Sequence, residues 1–161
     1  MKQNKLLMIL GIACAVCVVA MVIILGVTSV PKRGEFTPPP FDPSATVGTP
    51  TVPDGLGWGE IAPEGGSFSI SLCGVVKQEN GKADIWLTNP SKNNVLIKVR
   101  ILDAEGNILG ETGLVRPGEY VQSVTIADPL AAGTQIVMKV MSYQPDTYYS
   151  EGSFQLKTVI S

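Results

Sequence analysis

Between Leu6 and Val30 the chain carries no charged side chain, and its only hydroxyls, Thr28 and Ser29, come at the far end. No other stretch narrows the choices as much. About 25 residues at a rise of roughly 1.5 Å make a helical rod of about 37 Å. That length crosses a hydrocarbon core of about 30 Å with modest tilt. In lipid, a helix is the only single segment that satisfies its own backbone polar groups. The stretch therefore predicts one transmembrane helix over 6–30, behind a short cytoplasmic tail over 1–5.

A cleaved secretory signal is the rival reading, because Lys2 and Lys5 make a basic start. The run outlasts the roughly 7–15 apolar residues of such a signal, and no Ala-x-Ala pattern closes it. Gly11-Ile12-Ala13-Cys14 loosely matches a lipoprotein signal, yet the residues after Cys14 stay apolar. The expectation is an uncleaved signal-anchor. Lys2 and Lys5 on one side nearly balance Lys32 and Arg33 on the other. The short tail and long polar remainder then place the N-terminus inside and the C-terminal part outside, in a single-pass cell-membrane protein. Cys14 and Cys17 fall one helical turn apart in lipid with no basic neighbour to form a thiolate. They read as small apolar residues or acylation sites rather than as redox chemistry.

Past Val30 the composition changes. Pro31, Pro38, Pro39, Pro40, Pro43, Pro50, Pro53 and Pro63 stand among Gly, Thr and Ser, with few large apolar residues. Such a segment cannot by itself bury enough surface to offset its ordering entropy. Proline keeps it extended, so 31–63 reads as a Pro/Gly-rich extracellular stalk. Phe36, Phe41, Leu56, Trp58 and Ile61 are the exceptions, the last three apolar enough to dock on the C-terminal domain.

From Ser67 the hydrophobic period becomes two, as in half-buried strands. Phe68, Ile70 and Leu72 alternate with serines, and Asn80-Gly81 signals a tight hairpin turn. Ala83, Ile85 and Leu87 come next, then Val95, Ile97, Val99 and Ile101, then Ile108 and Leu109. Tyr120–Ile126, Gln135–Tyr143 and Phe154–Ile160 complete about seven short strands with no helical period among them. The expected domain, over 64–161, is all-β: an Ig-like antiparallel β-sandwich, with a small open barrel as the alternative. A fragment over 64–161 is expected to fold alone.

The chemistry-bearing residues are few. The chain has no His, which removes the commonest general base and metal ligand. A net charge of −2 with both signs scattered leaves no basic footprint for nucleic acid. Asp103, Glu105 and Asn107 are too few oxygens for a calcium loop and fit a turn with Gly106 at positive φ. The sequence thus predicts no enzyme, no catalytic residues, no cofactor and no metal site. Cys73 is the only cysteine outside the apolar stretch, so no intramolecular disulfide forms there. Its parity with Ser69 and Ser71 points outward unless Gly74 marks a bulge; a buried inert thiol is preferred over an intermolecular disulfide.

Trp86 is the leading candidate for partner binding. Its parity sets it opposite Ile85 and Leu87. If its strand pairs with the next, Lys98 and Arg100 share its outer face, where an indole beside a guanidinium can anchor a protein or stack on a sugar. The plainer alternative is a Trp covered by neighbouring chain such as the Trp58 region. Tyr148 and Tyr149, in the loop between Pro145 and Gly152, form a second candidate patch.

Leu87-Thr88-Asn89-Pro90, Asp103-Ala104-Glu105-Gly106-Asn107 and Leu114-Val115-Arg116-Pro117-Gly118 carry a resemblance. Phe68 to about Val140 resembles the Ig-like ectodomains of bacterial membrane-anchored surface proteins, broadly of the FxLYD-like and CARDB-like kind. The resemblance implies an envelope structural or binding module with no catalytic residues to carry over. The functional expectation is a bacterial cell-surface protein presenting its domain for structural or adhesive protein–protein interaction. The alternative is a glycan-binding envelope module that uses exposed aromatics.

Overall fold

Asn80 and Gly81 both take positive φ, 51° and 74°, as a two-residue type I′ turn requires. The turn joins β4 (Lys77–Glu79) to β5 (Lys82–Asn89), with Glu79 opposite Lys82. This computed structural model describes residues 36–66 and 68–161. The helix expected over 6–30 lies outside the described residues. Within them there is no helix long and apolar enough to cross a membrane.

Two further turns act as their residues suggest. The Asp103 carboxylate accepts the Asn107 backbone N–H at 2.7 Å and its side-chain amide at 2.8 Å. With Gly106 at φ 89°, this turns β6 (Leu96–Leu102) into β7 (Ile108–Glu111). At Arg116-Pro117-Gly118-Glu119, Glu119 donates its N–H to the Arg116 carbonyl at 3.1 Å. Gly118 takes φ 81° there, and β8 (Glu119–Thr125) begins. β9 (Gln135–Tyr143) and β10 (Ser150–Val159) complete the chain as a long hairpin.

The strands form two sheets whose ladders are all antiparallel. One runs β1-β8-β5-β3-β2, with β4 also beside β5; the other runs β10-β9-β6-β7. Here β1 is Thr46–Val47, β2 is Gly59–Ile61 and β3 is Ile70–Leu72. Alternation dictates the core between them. Ile70, Leu72, Ile85, Leu87 and Val121 from the first sheet meet Ile97, Val99, Ile101, Met138 and Val140 from the second. Each such side chain, fully buried, contributes about 1.5–3 kcal/mol. The arrangement is a β-sandwich in type. Single bridges also tie the sheets at their margins, Val76 to Ile160 and Ile97 to Val115.

The Pro-rich segment departs from the reading as a stalk over 31–63. The compact unit begins at Pro38 and runs to Ser161. Leu114 donates its N–H to Pro40 and Asp42 donates to Leu114, both at 2.9 Å. A methyl on Gly113 would collide with the Asp42 backbone, so only glycine permits that approach. β1 then pairs with β8, and Gly48 donates to the Gly118 carbonyl at 2.8 Å. Residues 48–58 leave this edge beside Gly118 and reach the opposite edge beside Gly74. There the Gly74 and Val75 N–H groups donate to Gly57 and Leu56, each at 3.1 Å. β2 then pairs with β3. Since β1 and β2 are the two edges of one sheet, the connection crosses the outer face of that sheet as a strap. The physical reason is that this segment needs no core of its own. Its prolines stand where no N–H is required, while its remaining backbone groups complete edges that other strands provide.

Asn89, the last residue of β5, is fully buried. Its amide donates to the Val95 and Val115 carbonyls, both at 2.9 Å. Its side-chain oxygen accepts from Asn93 at 2.7 Å. Asn93 in turn pairs with the backbone of Ser69, donating to its carbonyl at 2.6 Å and accepting its N–H at 3.2 Å. These two asparagines hold the crossing from one sheet to the other.

Candidate functional site

Trp86 sits where the β5–β8 register slips, between Asp84 and Leu87, and takes φ 47°. A bulky residue in that region is strained by on the order of 1 kcal/mol or more. Alternation alone sets Ile85 and Leu87 in the core and the indole on the other face. The extra residue shifts the register, so that Ala83 and Leu87 both stand opposite buried residues of β8, Val124 and Val121. Outward does not mean exposed. Trp86 is 9% accessible, its ring stacked on Tyr120 at 6.4 Å between centroids. Trp58, from the strap, donates its indole N–H to the Trp86 carbonyl at 3.0 Å. Of the two sequence alternatives for Trp86, the covered one matches this geometry.

The expected grouping of Trp86 with Lys98 and Arg100 does not form. It required β5 to pair with β6, and these strands belong to different sheets. Lys98 and Arg100 instead join each other through Glu111 on β7. The Lys98 ammonium lies 2.7 Å from one carboxylate oxygen and Arg100 Nε lies 2.7 Å from the other. Lys98 is only 7% exposed, beside a shallow groove with Pro40, Phe41 and Gly113 on its walls. Burial works against the charge on Glu111, but hydrogen bonds from Lys98 and Arg100, with their positive charge, hold its carboxyl below the ordinary 4.5. The three side chains form a triad within the second sheet. Both cations share the one carboxylate, which leaves the cluster with a net positive charge on partly exposed Arg100.

Tyr148 and Tyr149 do lie together, in the turn between β9 and β10. Gln144 donates its N–H to the Tyr149 carbonyl and accepts from Tyr148 N–H, both at 2.9 Å. Tyr148 takes φ 57° and is half-buried, whereas Tyr149 is 73% exposed. Side-chain bonds brace the turn from within: Thr147 donates to the Gln144 amide oxygen at 2.6 Å, and the Gln144 amide nitrogen donates to Glu151 at 2.7 Å. Of the five candidates, Tyr149 alone presents a largely open ring.

Sequence reasoning missed a second aromatic contact. The Arg116 guanidinium carbon lies 3.6 Å above the centre of the Phe41 ring, within the range where a cation and ring attract. Its only sequence signal was a large aromatic within a proline run, where a solvated stalk has no use for one. Cys73 is buried, and burial, with a smaller push from Asp84, raises its thiol to about 11. At neutral pH it is an inert thiol. Among the described residues no cluster of acidic or Cys side chains is placed to hold a metal ion. Comparison with known proteins finds no matching family model and no matching curated protein.

Proposed function

We propose that this chain is a single-pass, membrane-anchored bacterial surface protein that presents an Ig-like domain for structural or adhesive protein–protein contact. One observation carries the reading: an uncharged stretch long enough to cross a bilayer, Leu6–Val30, stands ahead of one compact β unit over Pro38–Ser161. The turn signals at Asp103–Asn107 and Arg116–Gly118 support the Ig-like assignment. The strap alters one part of the reading. Of the 31–63 expected as a stalk, 38–63 belong to the folded unit, and 31–35 lie outside the described residues.

Binding through the β9–β10 turn is the reading that the placement of Tyr149 supports, an open aromatic on a braced loop. Tyrosine there supplies contact area at low cost in side-chain entropy. The glycan alternative has less to stand on, because its flattest platform, Trp86, is stacked and covered. Topology decides the anchored reading. In a version with Cys14, Cys17 and Cys73 replaced by alanine, single cysteines are placed at Ser91, which is exposed, or at Gln3. An impermeant maleimide applied to intact cells is expected to label the Ser91→Cys chain and spare the Gln3→Cys chain. Labelling of Gln3→Cys alone contradicts the proposal.

A further inference from the structure

Among the described residues, four of the five edge strands are blunted. β1 has two residues, β2 and β4 three each and β7 four, short enough to offer little to another strand. β10 has ten, and its ladder within the described residues is on one side only, with β9.

The hydrogen bonds at its end show which backbone groups face the open side. Ile160 donates inward to Thr134 at 3.0 Å, while the Val159 carbonyl faces out and accepts from Val76 at 3.3 Å. Residues of an antiparallel strand alternate in this respect. The pairing with β9 is regular from Gly152 to Val159. The N–H and C=O groups of Ser153, Gln155 and Lys157 therefore point along the open edge. Gly74 and Val76 close that edge at its C-terminal end, Gly74 by accepting the Thr158 hydroxyl at 2.5 Å.

We propose that the occupant of this edge is a second copy of the chain, with the two β10 strands antiparallel about a twofold axis at Phe154. The four-stranded sheets then merge into one of eight. In a twofold pair, the outward-bonding residues must face one another. Odd-numbered residues meet odd-numbered ones, so the axis falls on a residue and never between two. Charge selects which. An axis at Phe154 sets Ser153 opposite Gln155, and brings Glu151 of each copy, at the bulge just ahead of the regular ladder, toward Lys157 of the other, twice over. An axis at Gln155 faces Lys157 with Ser153 and leaves both charges unmatched. An axis at Leu156 sets Ser153 against Val159, whose carbonyl Val76 already occupies. Glu151, Ser153, Gln155 and Lys157 are all exposed, and Gln144 holds the Glu151 carboxylate at 2.7 Å. The inference does not depend on the anchor or on the Ig-like assignment.

The test uses the full chain in mild detergent micelles, with Cys14 and Cys17 replaced by alanine and buried Cys73 retained. Two pools with tags of different size carry Ser153→Cys or Gln155→Cys. Residues facing each other across a bonded antiparallel pair lie about 5.5 Å apart at Cα, within disulfide range. Oxidation of the mixed pools is expected to give a cross-linked heterodimer. Each pool alone should give at least about fivefold less, since like positions then sit a diagonal step apart. Equal cross-linking in the separate pools, or none in the mixture, overturns the proposal. Charge reversal supplies the second arm, read by fluorescence transfer between labelled copies. Lys157→Glu is expected to raise the dissociation constant about tenfold, as two attractive pairs become repulsive. Adding Glu151→Lys should bring it back to within about threefold of the parent. Failure of the double variant to recover, with unchanged circular dichroism melts, overturns the register.

Discussion

A fragment over 38–161 is expected to melt in one cooperative transition, and a fragment over 64–161 to lose roughly 10–20 °C of melting temperature or cooperativity altogether. The shorter fragment lacks two edge strands of the six-stranded sheet, β1 and β2. It also lacks the Trp58 donor to Trp86 and the bonds that Gly57 and Leu56 accept from Gly74 and Val75. Trp86 and Tyr120, stacked on the outer face of the sheet, then stand in water. Re-exposing a large apolar side chain costs about 1.5–3 kcal/mol, and the pairings of β1 with β8 and of β2 with β3 are lost with the cover. A net loss on the order of 3 kcal/mol corresponds to the shift stated. Melts of both fragments by circular dichroism decide it. Equal melting temperatures would mean that the strap adds nothing to the fold.

Asn89→Ala is the single substitution expected to cost most among polar residues, on the order of 3 kcal/mol. Asn89 is fully buried and serves three partners: the Val95 carbonyl, the Val115 carbonyl and the Asn93 amide. Val115 keeps its bond from the Ile97 N–H at 3.0 Å, so the Val95 carbonyl bears the largest loss. A buried polar group left without a partner costs about 1–3 kcal/mol, and the residual cavity adds to that. Asn93→Ala should cost less, since its side chain is partly open to solvent at the loop. The two changes should not add. A coupling of about 0.5–3 kcal/mol in a double-mutant cycle is expected for residues sharing one network. Urea unfolding of the four proteins measures it, and strict additivity would show that the two asparagines act separately.

Much of the sheet is legible in the sequence because it rests on local rules. Asn80-Gly81 could only be a turn, and the alternation through Ile97, Val99 and Ile101 could only be one face of a strand. What escapes depends on partners far along the chain. The composition of 38–63 says truthfully that it has no core, but not that edges elsewhere are waiting for it. Parity sets Trp86 outward correctly, yet it cannot show that a strap arrives from thirty residues away. The grouping of Trp86 with Lys98 and Arg100 fails for a related reason. It treats consecutive strands as neighbours, whereas Asn89 and Asn93 carry the chain to the other sheet. The alternation through Phe154–Ile160 identifies a strand soundly, but only the sheet order shows it to be an edge.

Hydrogen exchange on the full chain in micelles tests most directly whether the proline-rich segment belongs to the domain. The N–H groups of Asp42 and Gly48, bonded to Leu114 and Gly118, should exchange far more slowly than an unstructured amide. The Gly74 and Val75 amides, which donate into the strap, should be slowed with them. Exchange at 42 and 48 as fast as in an unfolded peptide, beside full protection in β8 and β9, would contradict the account and return 38–63 to the status of a stalk.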